Sequence, residues 1–159
     1  MDWKIEVMPV GPLQMNAVLL TGHGPEGTEV ILIDPGEEPE RLLTAVKKAG
    51  GKLDHLLATH GHFDHVGAAA AVQAVHGLPL ICHEKDLPLI EQMQEIQAAY
   101  GFTATPVPEC RADLQDGATI PFAGGSIEVR HVPGHSPGQV MFVLPATASG
   151  QGPGCAIVG

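Results

Sequence analysis

Cysteine is scarce and odd in number. Cys82, Cys110 and Cys155 are the only three, and no two stand in a CxxC spacing. That excludes a disulfide framework and a thiolate zinc finger, and it leaves free thiols suited to a reducing cytoplasm. Basic residues are also few, 8 Lys and Arg against 18 Asp and Glu, for a formal charge of −10. Such a chain has no electrostatic footing on nucleic acid or on an anionic membrane. No apolar run approaches the roughly 18–20 residues that cross a bilayer. The opening Met1-Asp2-Trp3-Lys4-Ile5-Glu6 lacks the basic-then-apolar form of a signal peptide. A cytoplasmic location is the expectation. Internal repeats, charge runs and long linkers are missing as well.

What remains is the composition of a globular chain. Its 159 residues suffice for one domain with a real core, and 44% hydrophobic against 16% charged content argues against disorder. The 20 Gly and 14 Pro predict many tight turns. Histidine stands out: four of the nine, His55, His60, His62 and His65, lie within eleven residues.

Trp3, Ile5 and Val7 alternate with Lys4 and Glu6, the period of a half-buried strand, and Gly11-Pro12 breaks it. Ala17 to Leu20 and Val30 to Ile33 read as two more strands, so antiparallel hairpins open the fold. Leu42, Leu43, Val46 and Ala49 fall at helical spacing over residues 39–49, ended by Gly50-Gly51. A strand over 53–58 leads into the histidine-rich stretch. An Ala-rich helix over 66–76, a strand at 80–82 and a third helix follow. Asp86 is placed to cap that helix, with Pro88 in its first turn and Leu89, Met93, Ile96 and Tyr100 along one face. Residues 101–115 read as irregular. Short strands close the chain at 119–122, 127–132, 140–144 and 156–158. The expected class is α+β, with parallel crossovers in the middle and hairpins at both ends.

The string Thr59-His60-Gly61-His62-Phe63-Asp64-His65 sits between a buried strand and a helix. His60 and His62, two apart in an extended loop, point the same way and can grip one metal ion. Asp64 and His65 lie where the chain enters the helix and can turn toward a second. Nitrogen and oxygen ligands suit zinc, and also iron or manganese. Composition alone would produce HxHxDH in roughly one such chain in a thousand. A second element, His131-Val132-Pro133-Gly134-His135-Ser136-Pro137-Gly138, is a stiff turn between two strands. His135, central in it, is the better candidate for a third ligand. His131, at the strand end, reads equally as a structural histidine. A serine nucleophile is disfavoured, because no GxSxG elbow is present.

HxHxDH after a strand, with a later PGHSPG turn, resembles the metallo-β-lactamase fold superfamily of metallohydrolases. The strings THGHFDHVG, HEKDLPL and HVPGHSPGQV are most similar to the glyoxalase II-type hydrolases within it. Asp34 in Ile33-Asp34-Pro35-Gly36 matches that family's early aspartate, which supports the metal loop, and Asn16 fits the opening hairpin. The resemblance implies an αββα sandwich. It implies that His60, His62 and His135 bind the first metal and Asp64 and His65 the second, with two zinc ions in an intact enzyme. It also implies thioester hydrolysis of a small-molecule, acylglutathione-like substrate by metal-bound hydroxide, with Asp64 orienting the nucleophile or taking its proton.

The family's bridging aspartate would stand one residue past Gly159, and its last histidine ligand further on. The expectation is therefore a single, incomplete domain over residues 1–159. Such a domain would leave an apolar sheet face open to a partner or to a second copy of the chain. Two alternatives accompany the hydrolase reading. One is a mononuclear iron persulfide dioxygenase on the same scaffold. The other is a noncatalytic metal-binding fragment. Blander readings apply elsewhere. His76 is a helix-end charge, His55 is half-exposed, and Cys155 is core. Met93 with Tyr100 is a helix face, and Glu91 with Glu95 is a solvated surface. His83 is a candidate for a cleft wall.

Overall fold

The structure is a computed structural model that describes residues 3–146 and 154–159. Met1 and Asp2, which entered the reading of the N-terminus, lie outside the described residues. Strands β1 (Trp3–Val10), β2 (Met15–Gly24) and β3 (Gly27–Ile33) form an antiparallel meander. β2 runs past the expected stop at Thr21, because its ladder with β3 continues to the pair Gly24 and Gly27. The chain then alternates helix and strand: α1 (Pro39–Ala49), β4 (His55–Leu57), α2 (Phe63–Val66), α3 (Ala69–His76) and β5 (Leu80–Ile81). A 3-10 turn at Glu84–Asp86, then α4 (Leu87–Glu91) and α5 (Met93–Ala99), lead to β6 (Cys110–Arg111). β3, β4, β5 and β6 pair in parallel, which completes a six-stranded sheet in sequence order. A second, antiparallel sheet has the order β10-β9-β8-β7, built from β7 (Thr119–Phe122), β8 (Gly125–His131), β9 (Val140–Leu144) and β10 (Cys155–Ile157).

Five expectations change. The third helix divides at Gln92, whose ψ of 5° departs from the helical range. Asp86 makes no capping hydrogen bond to α4. Tyr100 lies beyond the last residue of α5 and is 73% exposed, so it does not share the buried face of Met93. Within the stretch read as irregular, β6 forms through its neighbour: the Leu80 N–H donates to the Glu109 carbonyl at 2.9 Å, and the Cys82 N–H to that of Arg111 at 2.9 Å. Two residues carry no readable period, so only the pairing reveals this strand. Cys155, read as core, is exposed.

At β2 and β3 the first sheet buries both faces, which is why these strands are continuous apolar runs rather than alternating ones, whereas edge strand β1 leaves Ile5 and Val7, read as its apolar face, exposed and buries Met8 and Val10. Leu19, Leu32 and Leu56 face the helices, where they meet Leu42, Val46, Val66 and Val72. Their strand neighbours Leu20, Ile31, Ile33 and Leu57 face the second sheet, against Phe122, Ile127, Val129 and Phe142. The layers are therefore helix, sheet, sheet. No helix among the described residues covers the outside of the second sheet. That face is mixed rather than apolar: Ser126 and Arg130 are exposed, Arg130 pairs with Glu128 at 2.7 Å, and Met141 and Val143 are half-exposed. The apolar face expected there is absent among the described residues, because these outward positions alternate with the buried ones. No helix of the described residues is long and apolar enough to cross a membrane.

Because β3, β4 and β5 are parallel, their C-terminal ends open on one edge, where such sheets bind ligands. Asp34 follows β3, Thr59 to His65 follow β4, and His83 to Asp86 follow β5. The second sheet brings the β8–β9 loop to the same edge, tied by the Val140 N–H donating to the Thr59 carbonyl at 2.8 Å.

Candidate metal centre

Asp34 organises the floor of the site. Its backbone sits at φ 55°, a left-handed conformation that Asp tolerates better than most residues. Its N–H donates to the Leu57 carbonyl at 2.9 Å. Oδ1 accepts the Thr59 N–H at 2.7 Å, and Oδ2 accepts the Thr59 hydroxyl at 2.6 Å. Oδ2 also lies 2.8 Å from His65 Nδ1. The Thr59 hydroxyl has spent its hydrogen on Asp34, so toward His60 Nδ1, 3.0 Å away, it can only accept. That assigns the His60 proton to Nδ1 and leaves Nε2 with a free lone pair. Nε2 is buried, and it has no hydrogen-bond partner among the described residues.

The free nitrogen faces company. Ligand nitrogens of His60, His62 and His135 lie within 4.8 Å of one another. The His60 ring stands 4.8 Å from that of His62 and 5.0 Å from that of His135, both nearly perpendicular. His62 Nδ1 and His135 Nε2 are 3.1 Å apart. A tetrahedral ion with bonds of about 2.0–2.1 Å holds its nitrogens roughly 3.3 Å apart, so these residues fit a divalent metal. Burial, the His65 ring and the other neighbouring imidazoles push the His60 pKa down to about 4, with Asp34 opposing. Burial and His135 also lower that of His62. Both rings are thus held in the neutral form that a metal requires.

The second expected pair is less convergent. Burial works against a charge on His65, but its hydrogen bond to Asp34 and the charges of Asp34 and Asp64 outweigh that, and its pKa rises. Its Nε2 lies 3.8 Å from Asp64 Oδ2. Asp34, His60 and His65 also bring ligand atoms within 4.8 Å of one another. Gly36 holds this segment in place. A side chain there would land on the Asp64 carbonyl and the Met15 methyl. Replacing Gly36 with Ala should cost about 1–3 kcal/mol of stability through overpacking and displace the start of α2; thermal unfolding reads it.

Other residues sort by contact. His83 stacks on His131, ring centroids 4.1 Å apart at 10°, and His131 Nε2 reaches the Pro137 carbonyl at 2.8 Å. Both act as braces for the loop that carries His135, and His83 is buried. Gly159 packs against Thr59 and His60. Sequence reasoning missed Thr59 and the inward turn of Asp86. A usable signal existed: both follow the ends of parallel strands, as Asp34 does.

The Metallo-beta-lactamase superfamily profile matches residues 10–147. The chain belongs to that superfamily. A protein of Haemophilus influenzae named hydroxyacylglutathione hydrolase GloC is 34% identical over 147 residues, covering 88% of this chain and 66% of that one. A probable metallo-hydrolase of Bacillus subtilis, YqgX, is 31% identical over 146 residues, covering 91% and 66%. Among solved structures, a protein crystallised in a di-iron-bound form is 41% identical at a TM-score of 0.71, covering 86% of this chain and 65% of that one. This superfamily member spans about two thirds of the length of the relatives it matches.

Proposed function

We propose that this chain forms a metallohydrolase domain whose substrate is a small thioester of the acylglutathione class. The carrying observation is the three-imidazole cluster, in which His60 keeps a buried Nε2 without a hydrogen-bond partner and ligand nitrogens of His60, His62 and His135 lie within 4.8 Å of one another. The similarity to a protein named hydroxyacylglutathione hydrolase supports the substrate class. A divalent ion bound there supplies Lewis acidity and an acidified water. His60, His62 and His135 would hold it. Asp34 fixes the imidazole tautomers through Thr59 and directly at His65. Asp64, partly exposed with Oδ2 3.8 Å from His65 Nε2, would take or hold a proton in this reading. A thioester suits this arrangement because its thiolate leaves without a strong general acid.

The test is turnover of an acylglutathione by the purified protein. Chelation should reduce it at least 100-fold, and His60→Ala should do the same. Reconstitution with zinc, iron or manganese in separate samples should show which ion restores it. The similarity to a di-iron-bound protein makes that comparison necessary. A folded, metal-loaded protein that leaves the thioester intact would refute the reading.

A further inference from the structure

Asp86 lies in the turn after β5, outside both histidine motifs, and is fully buried. Its carboxylate reaches into each motif. Oδ2 accepts the N–H of Gly61 at 2.8 Å and the hydroxyl of Ser136 at 2.7 Å. Oδ1 accepts the N–H of Gly138 at 2.7 Å. Gly61 stands between His60 and His62, while Ser136 and Gly138 follow His135 closely. One side chain therefore bonds the loop of the first sheet to the loop of the second, beside every imidazole of the cluster. The approach is close on both sides. A methyl group on Gly138 would fall 2.7 Å from Asp86 Cγ, and one on Gly61 would fall 2.9 Å from the Asp86 carbonyl. Ser136 is buried with it, so water cannot substitute for the carboxylate.

We propose that Asp86 is a positioning residue, whose carboxylate sets the distance between the His60–His62 loop and the His135 loop and so sets the metal affinity and geometry of the site. The proposal rests on the reading of these three histidines as ligands. A carboxylate is required because it presents only acceptors to three donors. An amide would turn one NH2 group toward a donor and break at least one of the three bonds. The backbone tie from Val140 to Thr59 remains in either case, so the sheets stay packed while the loops lose their register.

The test uses cobalt(II) alone, titrated into the metal-stripped full chain. Visible absorption reports coordination, and chelator competition reports affinity. Asp86→Asn should weaken binding 10–100-fold and change the band intensities, as loss of a group that orients metal ligands does. Ser136→Ala, which removes one bond and leaves the carboxylate, should weaken it by a few-fold and carries the test if the first variant does not fold. In a His135→Ala background, Asp86→Asn should add much less than it does in the wild type, because the ligand it positions is gone. A general loss of stability would persist undiminished in that background and overturn the proposal. Wild-type affinity and spectrum in both single variants would overturn it too. A wild-type chain that binds no cobalt would refute the ligand reading itself, and the proposal with it.

Discussion

Replacing Asp34 with alanine should destabilise the metal-free chain by about 3–5 kcal/mol, the range for leaving buried polar partners unmet. The substitution strands the Thr59 N–H, the Thr59 hydroxyl and the His65 ring, all of which donate to this one carboxylate. It also places alanine at φ 55°, where a Cβ without local hydrogen bonding is strained by roughly 1 kcal/mol. Asp34→Asn keeps the shape and tolerates the left-handed backbone, but it turns an NH2 toward donors, so its loss should be intermediate. Urea unfolding of both variants measures the difference. A second effect follows through Thr59. Without Asp34 the hydroxyl is free to donate to His60 Nδ1, which moves the ring proton to Nε2 and blocks the lone pair. Metal affinity should fall at least 10–100-fold in either variant. An alanine variant as stable as the wild type would show that the hydrogen bonds to Asp34 hold nothing.

Much of this site was legible because its chemistry is local in sequence. His60 and His62 are two residues apart in extended backbone, and their rings do converge. The Pro-Gly turn around His135 announced a stiff loop, and His135 meets His62 across the two sheets. The parallel order from β3 to β5 followed from helical spacing between apolar runs. What stayed hidden depends on contacts far along the chain. Asp86 reads as a helix cap because capping is the local use of an aspartate before a Pro-containing turn. Its carboxylate is instead claimed by Ser136 and Gly138, some fifty residues on. Thr59 is only the first residue of the histidine string in the sequence, and the placement of Asp34 is what gives its hydroxyl a role. The same limit applies to β6, whose two residues are a strand solely by virtue of β5.

Acid should unfold the metal-free chain through His60. The folded pKa is about 4, against 6.5 for the free residue. Between those values the unfolded chain binds a proton at this ring that the folded chain does not. Stability therefore rises with pH across the window and is lost as pH falls through it, with no further loss below about 4. The size is about 3 kcal/mol for a ring that is 1% exposed. His62, also lowered, acts in the same direction. His65 acts oppositely. Its raised pKa contributes stability that is present below 6.5 and lost as pH rises through the folded value, so its window lies above that of His60 and leaves the slope between pH 4 and 6.5 nearly untouched. Urea midpoints with a chelator present, at pH 6.5 and pH 4, measure the sum. His60→Leu removes the titrating ring, keeps the site filled and should flatten the difference by about 3 kcal/mol. An unchanged slope in that variant would mean that the His60 ring takes up its proton in the fold as readily as in water. The buried lone pair would then be no pre-set place for a metal.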